Sequence, residues 1–136
     1  MIITSFANQK VKLIRKLEQK KYRQETGLFF IEGLRTVGEA VQMAAPIEAL
    51  VIAPDLLVSE FGQSLLDHPA VEKVDRIEVS QEIYEKIAHK QGPQGIGALV
   101  RQDWRDLQAI DPQPADLWVA LDAIADPGNL GTIMRT

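Results

Sequence analysis

The sequence predicts an α/β protein, and three observations carry that reading. From about residue 27 to residue 100, short runs of branched and aromatic residues alternate with amphipathic segments, the pattern of a layered sheet-and-helix domain. A polar stretch bearing Pro112 and Pro114 then interrupts the rhythm. After it, LWVALDAIA (117–125) is apolar almost throughout, as expected of a strand covered on both faces in a parallel sheet.

Each element follows from local pattern. In residues 8–22, Val11, Ile14 and Leu17 recur at three-residue steps and Leu13 and Leu17 lie four apart, so one helix with a single apolar stripe is expected. GLFFIE (27–32) is an aromatic, branched strand opened by Gly27. Leu34, Val37, Val41 and Ala44 place a second helix over 34–45, with Pro46 just past its end. IEALVIA (47–53) is a strand, and 58–68 a helix weakened by Gly62. VDRIEV (74–79) alternates as a strand does, and 80–90 is a helix with Ser80 as its N-cap and Ile83 and Ile87 four apart. QGIGALV (94–100) is a glycine-loosened strand. Residues 101–116 read as a linker, stiffened in their second half by the two prolines. A last helix is expected to begin near Leu130, with Asn129 at its start.

Composition narrows the classes. At 136 residues, with 46% hydrophobic and 25% charged side chains, the chain is globular rather than disordered or fibrous. It lacks a membrane-length apolar run and a signal-peptide pattern at its start, so a cytoplasmic protein is expected. With no cysteine, disulfides and thiolate metal sites are excluded. His68 and His89 are far apart, and no metal site is expected from them. The net charge of −4 hides an asymmetry. Residues 1–35 hold eight basic and three acidic side chains, a local +5, and the rest of the chain is acidic. Local field matters to a polyanion more than overall charge does. Lys10, Lys12, Arg15, Lys16, Lys20, Lys21 and Arg23 cover the polar faces of the first helix and its exit. They form either a solvated face or a phosphate-binding one.

The tail DPGNLGTIMRT poses a sharper question. A helix here puts Gly131 and Arg135 four apart on one face. Arg135 then leans back over a residue with no side chain, toward the Pro127-Gly128 turn. With the helix N-terminus beside it, this could form an anion pocket. The same residues also make an ordinary turn, a cap and a solvated arginine. Trp104 and Trp118 read as packing residues. Arg35, at the entry to the second helix, could face a polyanion, with Glu32 as a carboxylate at that helix start.

LDAIADPGNLGTIMRT closely resembles the first signature motif of the SpoU (TrmH-like) family, RNA ribose 2′-O-methyltransferases of the SPOUT class. ANQKVKLIRKLEQKKYR, GLFFIEGLRTVGEAV and QGPQGIGALV resemble, in order, the substrate-binding domain that precedes the catalytic domain in many members. The resemblance covers nearly the whole chain. It implies a ribosomal-protein-like α/β layered RNA substrate-binding domain (1–100), a linker (101–116), and the first strand and helix start of a SPOUT trefoil-knot domain (117–136).

The resemblance further implies that Arg135 is the catalytic arginine and Asn129 the motif asparagine, with Gly128 and Gly131 shaping the turn and helix. The lysines and arginines of the first helix, with Arg35, become RNA-binding candidates. The cofactor is S-adenosylmethionine, held in the family by two later motifs that this chain does not contain. The partners are ribosomal or transfer RNA and, at full length, a second copy. A piece of a longer enzyme is therefore expected. A non-catalytic RNA-binding α/β module is the alternative.

Overall fold

The computed structural model describes every residue except Lys90 and Ala115. Lys90, the last residue of the predicted 80–90 helix, and Ala115, in the predicted linker, therefore lie outside the described residues. The chain divides into two compact units, Met1–Trp104 and Arg105–Thr136. The predicted linker straddles that boundary.

The first unit opens with helix α1 (Gln9–Lys16) and helix α2 (Lys20–Thr26), followed by strand β1 (Leu28–Glu32) and helix α3 (Leu34–Gln42). Strand β2 (Ile47–Ile52), helix α4 (Glu60–Leu66), a 3-10 turn (Pro69–Val71) and strand β3 (Asp75–Glu78) come next. Helix α5 (Gln81–Ile87) and strand β4 (Ile96–Arg101) complete it. The sheet order is β1-β4-β2-β3. β4 runs antiparallel to both its neighbours, while β2 and β3 are parallel and joined by the crossover through α4 that a parallel pair requires.

Helices cover both faces of the sheet. On one face, Val11, Ile14 and Leu17 of the α1 segment and Ile83, Tyr84 and Ile87 of α5 pack on Ala49, Val51, Ile77 and Leu99. On the other, Val37 and Val41 of α3 and Leu65 of α4 pack on Leu50, Ile52, Ala98 and Val100. Alternate residues of β2 thus point into opposite cores, which is why IEALVIA is apolar without alternation.

The structure departs from the sequence reading in specific places. The helix expected over 8–22 is two helices. Its apolar stripe stops at Leu17, because the next position on that face is Lys21. The chain turns there, and the Arg23 guanidinium takes the Leu17 and Glu18 carbonyls at 2.8 and 2.6 Å, filling acceptors that a helix end leaves unpaired. Gly27 does not open β1. It ends α2 in the left-handed conformation (φ 67°), the usual glycine helix stop. α3 ends at Gln42, short of the expected 45, since Pro46 disfavours helix at Ala45. Ala44 takes a φ of 49° and lies exposed. Gly62 is less a weakness than a packing device: a Cβ there would meet Leu57 Cδ1 at 2.5 Å and Leu34 Cδ2 at 2.8 Å. Ser80 caps α5 as expected, its hydroxyl accepting the Ile83 N–H at 3.4 Å.

In the second unit, residues 117–125 form no strand. Leu117, Trp118, Val119, Leu121 and Ile124 are all exposed. A strand is stable only in a ladder, and no described residue pairs with this one. Helix α6 (Pro127–Arg135) begins at Pro127, three residues before the expected Leu130. Its N-cap is Asp126, whose Oδ1 accepts the Gly128 N–H at 2.6 Å, and Pro127 takes the first helical position, which suits its missing N–H.

The backbone is tightly packed at the entry to β4. Gly95 has φ 73°, and a Cβ there would lie 2.6 Å from the Leu57 nitrogen and 2.8 Å from the Ala53 oxygen. Gly92 has a similar φ of 68° but open space around it. Gly95→Ala should therefore destabilise the chain by at least about 2 kcal/mol, and Gly92→Ala by only about 1 kcal/mol. Urea unfolding midpoints of the two variants measure the difference.

Candidate nucleic-acid interface

The basic residues sit on an elbow. Val11, Ile14 and Leu17 anchor α1 to the sheet at 0–3% exposure, so Lys10, Lys12, Arg15 and Lys16 are left on its open faces. The turn at 17–19 then swings Lys20 and Lys21 onto α2. Tyr22 gathers the charges, with Lys16 Nζ 5.2 Å and Lys21 Nζ 5.9 Å from its ring centre. Each ammonium is held over the ring by its quadrupole, so two cations from two helices share one ring. Lys21 also reaches Glu25 at 3.8 Å, an exposed pair that adds little.

Not every predicted cation belongs to this cluster in the same way. Arg23 is half-buried and spends its guanidinium on the elbow's own carbonyls, so it braces the surface and presents less charge than the lysines do. Arg35 lies on α3, which packs on the opposite face of the sheet from α1. Its Nε pairs with Glu39 at 3.2 Å. Glu32 does not cap the start of α3 as expected. Its two carboxylate oxygens accept the His89 N–H, each at 3.1 Å, and the Leu34 N–H goes to Gln94 Oε1 at 3.0 Å.

Beside the elbow lies a cleft of about 390 Å³ lined by Ile14, Leu17, Glu18, Arg23, Phe29, Phe30 and His89. A second hollow, about 400 Å³, lies between Arg23, Phe29, Gln102, Asp103 and Trp104. Trp104 is not a packing residue. It is 85% exposed, and its indole N–H is fixed by Gln102 Oε1 at 2.9 Å. Cations beside half-open aromatic rings are what a nucleic-acid surface uses: charge for the backbone and ring faces for bases. Sequence reasoning missed Tyr22, Phe29 and Trp104 in this role, although Tyr22 stands inside the basic run.

The tail motif is built differently. Asn129 is not a cap. It lies within the first turn of α6, exposed. Gly131 and Arg135 share a face at four-residue spacing, and nothing lies within 4 Å of a Gly131 Cβ. Arg135 is exposed in the last turn. Among the described residues no group of three or more His, Asp or Glu could hold a metal, and no helix is long and apolar enough to cross a membrane.

Comparison with known proteins gives a consistent picture. A family model, the MRM3-like substrate binding domain, matches residues 8–98. The chain is 31% identical over 134 residues to the 23S rRNA (guanosine(2553)-2'-O)-methyltransferase of Bacillus subtilis, a match covering 98% of this chain and 49% of that protein. It is also similar to the crystal structure of an rRNA methyltransferase from Sinorhizobium meliloti, with TM-score 0.79 and 35% identity, over 99% of this chain and 49% of that one. The AdoMet-bound structure of an rRNA methyltransferase from the same organism matches with TM-score 0.78, the same identity and the same coverage. The chain spans about half the length of these relatives.

The bracing role of Arg23 has a measurable consequence. Arg23→Ala removes two charge-assisted bonds and should lower unfolding stability by about 1–2 kcal/mol. Lys20→Ala, on an exposed face, should stay within about 0.5 kcal/mol of the parent. Urea denaturation of both variants separates the structural cation from the surface one.

Proposed function

Because the chain belongs to the MRM3-like substrate-binding domain family, we propose that it supplies RNA binding to an enzyme that methylates ribose 2′-hydroxyls of ribosomal or transfer RNA. The observation that carries this reading is the basic elbow, which lies within the family-matched residues. Lys10, Lys12, Arg15, Lys16, Lys20 and Lys21 contact phosphates, Arg23 shapes the surface, and Arg35 makes a separate contact from α3. Residues 1–100 act as the substrate-binding domain, 101–116 as a linker, and 117–136 as the start of the catalytic domain.

The methyl donor in this reading is S-adenosylmethionine. The described residues of the tail motif do not enclose it: Asn129 and Arg135 are exposed, and Gly131 faces open space. Arg135 has a role that needs no part of that site. A guanidinium beside the ribose 2′-oxygen stabilises negative charge developing there, and its fork can grip an adjacent phosphate bidentately. Arginine stays protonated, so it does not take the hydroxyl proton. The working enzyme is a cytoplasmic dimer in this proposal. The exposed apolar run at 117–125 supports the dimer, as a face that a second copy can cover. A non-catalytic RNA-binding module is the second reading, favoured by the family model itself, which describes a substrate binding domain over residues 8–98.

The chain should bind an RNA hairpin weakly, with affinity falling steeply as salt rises, because each neutralised phosphate releases counterions. Replacing Lys16, Lys20 and Lys21 together by Glu should abolish binding in a fluorescence anisotropy titration. Salt-independent binding that survives the triple change would refute the proposal. In a longer, active protein, Arg135→Ala should leave S-adenosylmethionine binding nearly intact and lower methyl transfer at least about 100-fold. Calorimetry and a methylation assay read the two effects apart.

A further inference from the structure

The turn before α3 and the loop before β4 meet over Tyr84. Glu32, Gly33, Tyr84 and residues 91–94 line a cleft of about 260 Å³. The contacts that shape it come from both sides. Glu32 holds the His89 N–H through both carboxylate oxygens. Gln94 reaches 60 residues back to cap α3 at the Leu34 N–H, because the N-cap Gly33 has no side chain to do so. Gly33 and Gly92 have φ of 92° and 68°, and Gly92 stands in open space.

Tyr84 is the anomaly at this cleft. It is 1% exposed, yet among the described residues its hydroxyl has no hydrogen-bond partner. Buried tyrosine hydroxyls are normally paired, and an unpaired one is costly. Phenylalanine would fill the same space without that cost. A hydroxyl that serves no contact inside the protein calls for an explanation, and the cleft it borders provides one. Burial, and then the Glu32 carboxylate, push the phenol above its ordinary value of 10. It is therefore a neutral O–H donor at any physiological pH.

We propose that this cleft takes one unpaired RNA base, with the Tyr84 hydroxyl donating to a base carbonyl and Glu32 accepting the adjoining ring N–H. This rests on the RNA-binding reading above. The carboxylate sets the ligand class. The α3 N-terminus alone would favour an anion, but its Leu34 N–H is taken by Gln94, and the Glu32 carboxylate beside it accepts only from donors. Uracil and guanine carry a carbonyl next to a ring N–H and match the pair. Cytosine and adenine carry an acceptor nitrogen in place of that N–H and do not. Reaching the hydroxyl requires a shift of residues 91–94, which the open surroundings of Gly92 permit.

The test uses the full chain and three RNA hairpins that differ only in an unpaired loop of uridine, cytidine or N3-methyluridine. Anisotropy should show the uridine loop bound about tenfold tighter than the other two, the worth of a charge-assisted hydrogen bond. Tyr84→Phe should leave thermal unfolding unchanged or raised and weaken binding of the uridine loop about fivefold, since the contact to the base carbonyl is lost while Glu32 still accepts the ring N–H. Equal binding of the three hairpins, or uridine binding unchanged by Tyr84→Phe, overturns the base pocket while leaving the RNA-binding reading intact. Failure to bind any hairpin overturns both.

Discussion

Strand β4 is hydrogen-bonded along both edges and covered on both faces, and the rest of the first unit depends on that. Its partners are β1 on one side and β2 on the other. Leu99 belongs to one core, and Ala98 and Val100 to the other. Both candidate surfaces take their shape from it. α1, which displays the lysines, packs in the core that includes Leu99. The Gly33 N–H donates to the Ile96 carbonyl at 2.9 Å, which fixes the turn into α3 against the strand. A strand in this position has to be apolar and small where helices approach closely, and IGALV is both.

The central strands were largely legible in the sequence because double-faced burial leaves a nearly continuous apolar run. IEALVIA and QGIGALV each appear as strands within one or two residues of their predicted spans. Helix boundaries were less legible where a side chain decided them. Nothing in the local pattern of 8–22 says that Arg23 will fold back onto two carbonyls and allow a break. The pairing order was not legible at all. That the last strand lies between the first two is a property of which faces must be covered together, and no single segment carries it.

The site divides in the same way. Charge is a compositional property, so the basic elbow could be read directly from residues 10–23. Arg35 was grouped with it because it is close in sequence, although its helix packs on the other face. Tyr22 and Trp104 were missed because an aromatic residue in a sequence does not show whether its ring faces a core or a cation. The tail failed for a related reason. LWVALDAIA has the composition of a buried strand, but composition cannot supply the neighbours that bury it. Asn129 has the residue type of a cap, but Asp126 and Pro127 claimed the helix start first.

The sheet's strand order also constrains how the chain acquires its structure. Until residue 101 is available, β1 has no ladder at all, and β2 can pair only with β3. Closure then brings together partners roughly 44 to 73 positions apart in sequence, a loop-entropy cost that slows folding. During synthesis, an apolar half-sheet would stand open while the ribosome completes the segment that fills it, a window in which a chaperone or the growing helices must shield it.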